Sequence, residues 1–383
     1  MAGDLKFQWA PEVDERSKIM VIGVGGAGTN AVDRMIDCGI NNVELVVVNT
    51  DAAVVAKSRA PHKIIIGERA THGKGAGKDP EKGRRAMEED SERVEKLLQG
   101  ADMVLIVAGM GGGTGTGAAP VIASMAKKAG VLTVALVGKP AQYEGRPTLK
   151  RAEEGLARFD TASCDTLIII PNDRLLTTGD PKTPISAAFL ELDDLLYKAS
   201  RSIVEIITTV GMVNCDFADV RATLQDAGDA FIGIGERHGP NRAVEAVADA
   251  LKSGLLDNSE IKGARTLLAN IVCGEDLSRE EWNQMVSAIN AAVGDDTDSK
   301  IGLVVDAAMQ DQVRVTVIAA GLQKARAQRA ILGGESMASD RLRNWQEQQP
   351  LRKAVGAEEY STPPTRSYEE DLDIPSVLRK QGR

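Results

Sequence analysis

Gly109-Met110-Gly111-Gly112-Gly113-Thr114-Gly115-Thr116-Gly117 follows the apolar run MVLIVA at 103–108 and leads into a segment rich in small residues. A tight turn between a strand and a helix needs one or two glycines. Five glycines and two threonines within 111–117 go further: they present consecutive N–H groups and hydroxyls at a helix start, where unpaired donors and the positive dipole end favour a phosphate chain. A second signal lies upstream. Gly23-Val24-Gly25-Gly26-Ala27-Gly28 follows KIMVI at 18–22 and precedes a helix expected from about Thr29, so it fits GxGxxG between a strand and a helix. With Asp51 at the end of the next strand, near the place of an acid that holds a ribose, this loop taken alone points to a dinucleotide. A nicotinamide-dependent enzyme is therefore the alternative reading. Two phosphate loops on neighbouring strands favour a polyphosphate nucleotide instead, and the absence of GxxxxGK[ST] argues against the ordinary P-loop.

Outward from the glycine loop, short apolar runs alternate with helical patterns: KIMVIGV, VELVVVN, MVLIVAG, LTVALVG and TLIIIPN are candidate buried parallel strands. The segments between them, including Pro80 to Leu98 and Gly117 to Lys128, carry helical patterning. Together they predict a doubly wound, mostly parallel α/β domain over 18–184, after an N-terminal extension at 1–17. Residues 185–211 form the next unit, since Ile185 to Val210 runs without Gly or Pro and with apolar residues at helical spacing; it reads as a long central helix joining two domains. A second, α+β domain follows over 212–322, with strands at Ala230 to Gly235, Thr266 to Val272, Ile301 to Val305 and Val313 to Ala319, and helices near Arg242 to Lys252 and Ser278 to Val293. Residues 323–368 offer little core-forming material and read as a disordered linker, with a reach of about 37 Å as a coil. At 369–383 the apolar set Ile374, Pro375, Val377 and Leu378 between acids and bases suggests a docking peptide.

Composition narrows the function. A length of 383 residues suits two domains, 43% apolar and 26% charged residues are ordinary for a globular chain, and no apolar run approaches a membrane span. The beginning of the chain does not read as a secretory signal, so a cytoplasmic protein without direct membrane insertion is expected. Net charge −9 with 3% aromatics argues against a nucleic-acid surface. Cys38, Cys164, Cys215 and Cys273 form no CxxC pair and read as buried free thiols, while His62, His72 and His238 read as solvent-exposed. No metal site is evident.

Further segments carry a resemblance. NTDA at 49–52, GAGKDPEKG at 75–83, KPAQYEG at 139–145, IPNDRLL at 170–176, NCDFADVR at 214–221 and VRVTVIAAG at 313–321, with GGGTGTG at 111–117, resemble the tubulin/FtsZ family of GTPases, most of all its bacterial FtsZ branch. The likeness covers most of Lys18 to Leu322, and DIPSVLRKQ near the end resembles that branch's tail peptide. The resemblance implies a GTP/GDP site: Gly25, Gly26 and Asn30 in the first loop, Asn49 and Asp51 in NTDA, Ala76 and Gly77 facing the γ-phosphate, and Gly111, Gly112, Gly113, Thr114, Gly115, Thr116 and Gly117 around the phosphates. It also implies that Asn30 and Asp193 read the base, Phe189 stacks on it and Glu144 meets the ribose. Thr148 stands where the family commonly has a nucleotide-contacting arginine. A carboxylate that accepts from both the ring N–H and the exocyclic amine of guanine has no such donors to meet in adenine.

The nucleotide domain shows no evident general base, and the strongest acidic constellation is Asn214-Cys215-Asp216-Phe217-Ala218-Asp219 in the second domain. One carboxylate suits orienting an attacking water and another suits arranging a cation, magnesium being expected with GTP. The same residues also suit a helix N-cap, and both roles are compatible. By resemblance Asn214, Asp216 and Asp219 act on the GTP of the next subunit. That implies a head-to-tail homopolymer, a cytokinetic ring at mid-cell against the inner face of the membrane, and membrane-anchoring and regulatory division proteins bound through 369–383.

Overall fold

Runs dominated by apolar side chains become the inner strands of one ten-stranded sheet. The computed structural model describes residues 17–160, 162–174, 185–209, 211–252, 261, 263–294 and 297–322, with side chains outside the description at 174 and 185–193. The linker at 323–368 and the tail peptide at 369–383 lie outside the described residues, as does nearly all of the extension at 1–17. In chain order the first half contains β1 (Ile19–Val24), α1 (Gly25–Asp37), β2 (Glu44–Asn49), α2 (Ala52–Lys57), β3 (His62–Ile65), α3 (Glu68–Thr71), α4 (Pro80–Glu89) and α5 (Ser91–Leu98). It continues with β4 (Met103–Gly109), α6 (Thr114–Lys128), β5 (Leu132–Lys139), α7 (Arg146–Leu156) and β6 (Thr166–Pro171). Next come α8 (Ile185–Thr208), α9 (Phe217–Leu224), β7 (Gly228–His238), α10 (Arg242–Lys252), β8 (Thr266–Cys273), α11 (Arg279–Val293), β9 (Asp298–Val305) and β10 (Gln312–Ala320).

The spatial order is β3-β2-β1-β4-β5-β6-β7-β10-β8-β9. All pairs from β3 through β7 are parallel. The first six strands thus have the doubly wound order, with its switch point between β1 and β4, where a crevice opens at the strands' C-terminal ends. β1 shows why the sheet is buried on both faces. Val21 joins a core with Ala31, Val32 and Met35 of α1 and with Leu196, Ala199 and Ile203 of α8. Its neighbours Met20, Ile22 and Val24 point the other way, onto Ala86, Met87, Val94 and Ile122 of α4, α5 and α6.

The two halves share the sheet and part of the core. β6 and β7 pair in parallel from Thr166↔Gly228 to Ile168↔Ala230, and Ile232, Leu268 and Ile318 of the second half belong to the α1/α8 core. The 24 residues of α8 span about 36 Å. Arg34 of α1 pairs with Asp194, while Glu205 near the other end receives Arg314 of β10 at 3.2 Å. This helix ties both halves to one face.

Several boundaries differ from the sequence reading. α1 begins at Gly25 rather than about Thr29, and α6 at Thr114 rather than Gly117, so half of the glycine loop is the first turn of a helix. The segment Pro80 to Leu98 is two helices broken at Asp90, whose carboxylate accepts the Gly67 N–H at 2.8 Å. β3 was not foreseen, since it is a four-residue edge strand with two exposed side chains. The histidines are exposed, as expected. Cys164 and Cys273 are buried, but Cys38 is exposed at the C-cap of α1 and Cys215 is half-buried.

Candidate functional site

A cleft of about 450 Å³ opens at the switch point, a size typical of small-molecule sites. Its walls are the C-terminal ends of the parallel strands and the loops that leave them: Gly26 and Ala27 after β1, Asn49 and Asp51 at the end of β2, Gly109, Met110 and Gly112 to Gly115 at the end of β4, Gly138 in β5, Ile170 in β6 and Leu196 of α8. The 75–78 segment and Glu144 complete it. α6 aims its N-terminus here, with Gly113 as N-cap and, among the described residues, no side chain capping it. Its first N–H groups are therefore available to an anion.

The glycines divide into two kinds. Some are required by the chain itself: Gly111 has φ +93°, and a Cβ there would lie 2.6 Å from the Thr148 methyl; one on Gly115 would lie 2.5 Å from the Gly109 carbonyl and one on Gly117 2.0 Å from that of Pro80. These hold the loop, α4 and α7 in close contact. Gly26 and Gly112 are different, because among the described residues a Cβ at either would meet nothing within 4 Å, and neither has a φ in the left-handed region. Both line the cleft. Nothing among the described residues demands glycine there, and a bare backbone is what lets a ligand approach closely.

The polar groups are arranged around this backbone. Thr114 Oγ1 lies 2.6 Å from Thr50 Oγ1, and Asn49 Oδ1 accepts the Thr50 N–H at 2.8 Å. Thr116 is buried and its hydroxyl accepts the Gly111 N–H at 2.8 Å, so it closes the loop from behind. Arg151 donates Nε to the Gly111 carbonyl at 2.9 Å and Nη2 to Thr148 Oγ1 at 3.2 Å. Glu144 Oε1 accepts the Ala141 N–H at 2.9 Å.

Of the residues expected in the nucleotide site, Gly26, Asn49, Asp51, Ala76, Gly77, Gly112, Gly113, Thr114, Gly115 and Glu144 line the cleft. Gly25, Asn30, Gly111, Thr116, Gly117 and Thr148 do not, and the packing just described gives Gly111, Thr116, Gly117 and Thr148 a role in shaping the loop. Phe189 and Asp193 fall on α8 ahead of Leu196, with side chains outside the described residues. The sequence reading did not single out Gly75, Lys78 or Asn172, which also line the cleft. Each lay inside a quoted segment, but no spacing rule distinguished it from its neighbours.

Asn214, Asp216 and Asp219 stand elsewhere. α9 is fastened to the opposite edge of the sheet, where the parallel strands begin: Thr166 Oγ1, at the start of β6, donates to the Leu224 carbonyl, and Arg221 donates to the Asp102 carbonyl before β4 at 3.2 Å. Strands of six to eight residues separate the two edges by about 20–26 Å. At the head of α9 the N-cap reading holds. Asp216 Oδ1 accepts the Asp219 N–H at 2.8 Å, and Asp219 Oδ2 accepts the Asp216 N–H at 3.1 Å. Asn214 Oδ1 accepts the Gly211 N–H. Lys300 of β9 lies 3.0 Å from Asp219 Oδ2. Burial acts to raise the Asp219 carboxyl, but the Lys300 ammonium and the Asp216 N–H outweigh it and hold the group below the usual carboxylate range.

Among the described residues no group of three or more His, Cys, Asp or Glu side chains could hold a metal, and no helix is long and apolar enough to cross a membrane. A doubly wound sheet with two glycine loops and a free helix N-terminus at its switch point defines a protein that binds the phosphates of a nucleotide. Residues 18–180 match the Tubulin/FtsZ family GTPase domain, and residues 228–323 the C-terminal domain of the FtsZ family. FtsZ from M. jannaschii, solved as an empty dimer, is 41% identical with a TM-score of 0.77, over 81% of this chain and 90% of that one. CetZ1 from Haloferax volcanii, a GDP-bound monomer, has the same fold at 24% identity and TM-score 0.69, over 83% of this chain and 100% of its own. The chain belongs to the tubulin/FtsZ family and is an FtsZ-type GTPase. That overturns the nicotinamide-dependent alternative, and Asp51, its ribose acid, is instead the N-cap of α2, accepting from Ala53 and Val54.

Proposed function

We propose that this protein assembles head-to-tail, and that GTP held in the cleft of one copy is hydrolysed by Asn214, Asp216 and Asp219 of the next. One observation carries the reading: the phosphate cleft and the acidic loop lie on opposite edges of one sheet, so neither completes the other within a chain. A contact between unlike surfaces that does not close produces open filaments. The FtsZ dimer of M. jannaschii, an assembly of a related chain, supports it.

In this reading the backbone of Gly26 and of Gly112 to Gly115 cradles the phosphates at the start of α6, and Ala76 and Gly77 face the γ-phosphate. Thr116, Gly117 and Thr148 keep the loop in shape, Glu144 meets the ribose, and Asn30, Phe189 and Asp193 read the guanine. Magnesium accompanying GTP would be held chiefly through the phosphates, with few protein ligands, and would offset their negative charge. Asp216 and Asp219 of the neighbour orient and polarise a water, whose oxygen bonds to the γ-phosphorus as the bond to the bridging oxygen breaks. Loss of the γ-phosphate weakens the contact that enabled hydrolysis, which couples turnover to disassembly. The filament serves as the division ring at mid-cell, and the tail at 369–383 docks membrane-anchoring and regulatory division proteins.

The test is turnover per subunit across a dilution series. It rises with protein concentration if the site forms between copies, and a flat specific activity overturns the proposal.

A further inference from the structure

The acidic loop is built on β9, the edge strand at the far end of the sheet. Val213 and Leu303 exchange backbone hydrogen bonds at 3.2 and 3.0 Å. A Cβ on Gly211 would lie 2.4 Å from the Leu303 carbonyl, and one on Gly302 3.0 Å from Cys215 Sγ. Loop and strand are thus in contact along several residues, and a residue of β9 can set the geometry of the loop's side chains.

Lys300 is that residue. Its ammonium lies 3.0 Å from Asp219 Oδ2, the same oxygen that accepts the Asp216 N–H. Two donors thus clamp the carboxylate at Oδ2, the Asp216 carboxyl stands beside it, and among the described residues no N–H is donated to Oδ1. A charge-assisted bond to an ammonium is short and strong, but the Lys300 side chain is 46% exposed. A pair so open to water adds little to folding. Its consequence falls on the carboxylate it holds, and on the charge met by an approaching polyphosphate, which would otherwise face two acids at the head of α9.

We propose that Lys300 is a positioning residue for GTP hydrolysis: it fixes Asp219 with one oxygen engaged and the other turned to the water, and offsets the loop's negative charge as the neighbour's γ-phosphate arrives. This rests on the split-site reading given above. Lysine suits the position because it is a compact point charge with three donors, only one of which the Asp219 contact uses.

The experiment uses the full chain with Lys300→Met and Lys300→Arg. Four quantities are measured for each: thermal midpoint, GTP affinity at concentrations below assembly, pelleting with a slowly hydrolysed GTP analogue, and kcat at saturating GTP in the assembled state. Lys300→Met is expected to leave the first three unchanged and to lower kcat by about ten- to a hundredfold, the scale of a misplaced catalytic group. Lys300→Arg, which keeps the charge and the donor, recovers most of the loss. A kcat within twofold of the parent for Lys300→Met overturns the inference. So does a fall in kcat that merely tracks a fall in pelleting, or in Lys300→Arg as deep as in Lys300→Met. Asp219→Ala mixed with Gly112→Val, with Lys300 intact in both, serves as the control. Failure of that mixture to hydrolyse GTP sinks the split site itself, whereas recovery there beside a normal Lys300→Met sinks only the role of Lys300.

Discussion

Gly26 and Gly112 line the cleft, and no neighbour among the described residues needs them to lack a side chain. Gly112→Val should therefore leave the thermal midpoint nearly unchanged while lowering GTP affinity at least tenfold, as seen by nucleotide titration. Unfolding of the variant, or undiminished binding, would remove the backbone cradle from the account. At this scale the sequence was partly legible. A run of glycines and threonines announces phosphate chemistry, but it does not separate Gly112, which faces the cleft, from Gly117, which lets α6 approach Pro80 of α4. Asp216 and Asp219 stood out as a constellation because they are near in sequence. Lys300 did not, since only the pairing of the 211–215 loop with β9 brings it to Asp219.

The elements were read most reliably where burial is complete. β1, β4 and β5 lie between two helical layers, so their nearly continuous apolar runs could hardly be anything but interior strands. The helix starts were read late because glycine usually marks a loop, whereas here Gly25 and Gly115 sit in first turns that press against neighbouring backbone. Between α10 and α11 a buried cation does what no sequence pattern announced. Arg242, with a side chain 6% exposed, meets Asp276 at 2.6 Å and Glu281 at 3.0 Å, and Glu281 also caps α11 through Ser278. The guanidinium holds both carboxyls below their usual range, more than offsetting their partial burial. A carboxyl with a lowered folded pKa contributes stability above its unfolded value and loses it as pH falls through the folded one. Thermal midpoints should thus lose this contribution below about pH 4, where free carboxyls begin to protonate. Arg242→Met should lower the thermal midpoint at neutral pH by removing the cation that both carboxylates share, and should flatten that acid limb. An unchanged slope in the variant would show that the cluster does not set the pH response.

Over the whole molecule, a single sheet gives the two halves their functional separation. The sequence suggested two domains joined by a helix, and the α/β and α+β grammars were both present, but the β6–β7 pairing that makes one sheet of them leaves no trace in composition. That pairing, with α8 along one face, fixes the acidic loop at the edge where the parallel strands begin and the phosphate cleft at the edge where they end. A rigid unit with complementary half-sites at opposite ends can complete a site only by meeting another copy. The most direct measurement is GTP hydrolysis by a mixture of two inactive chains, Asp219→Ala, which keeps its cleft, and Gly112→Val, which keeps its acids. Hybrid contacts in which Asp219 of one chain faces the intact cleft of the other should restore a measurable fraction of parental turnover, rising with total protein concentration. A mixture that stays as inactive as its components, while both chains remain folded and still co-assemble, would contradict a site shared between copies.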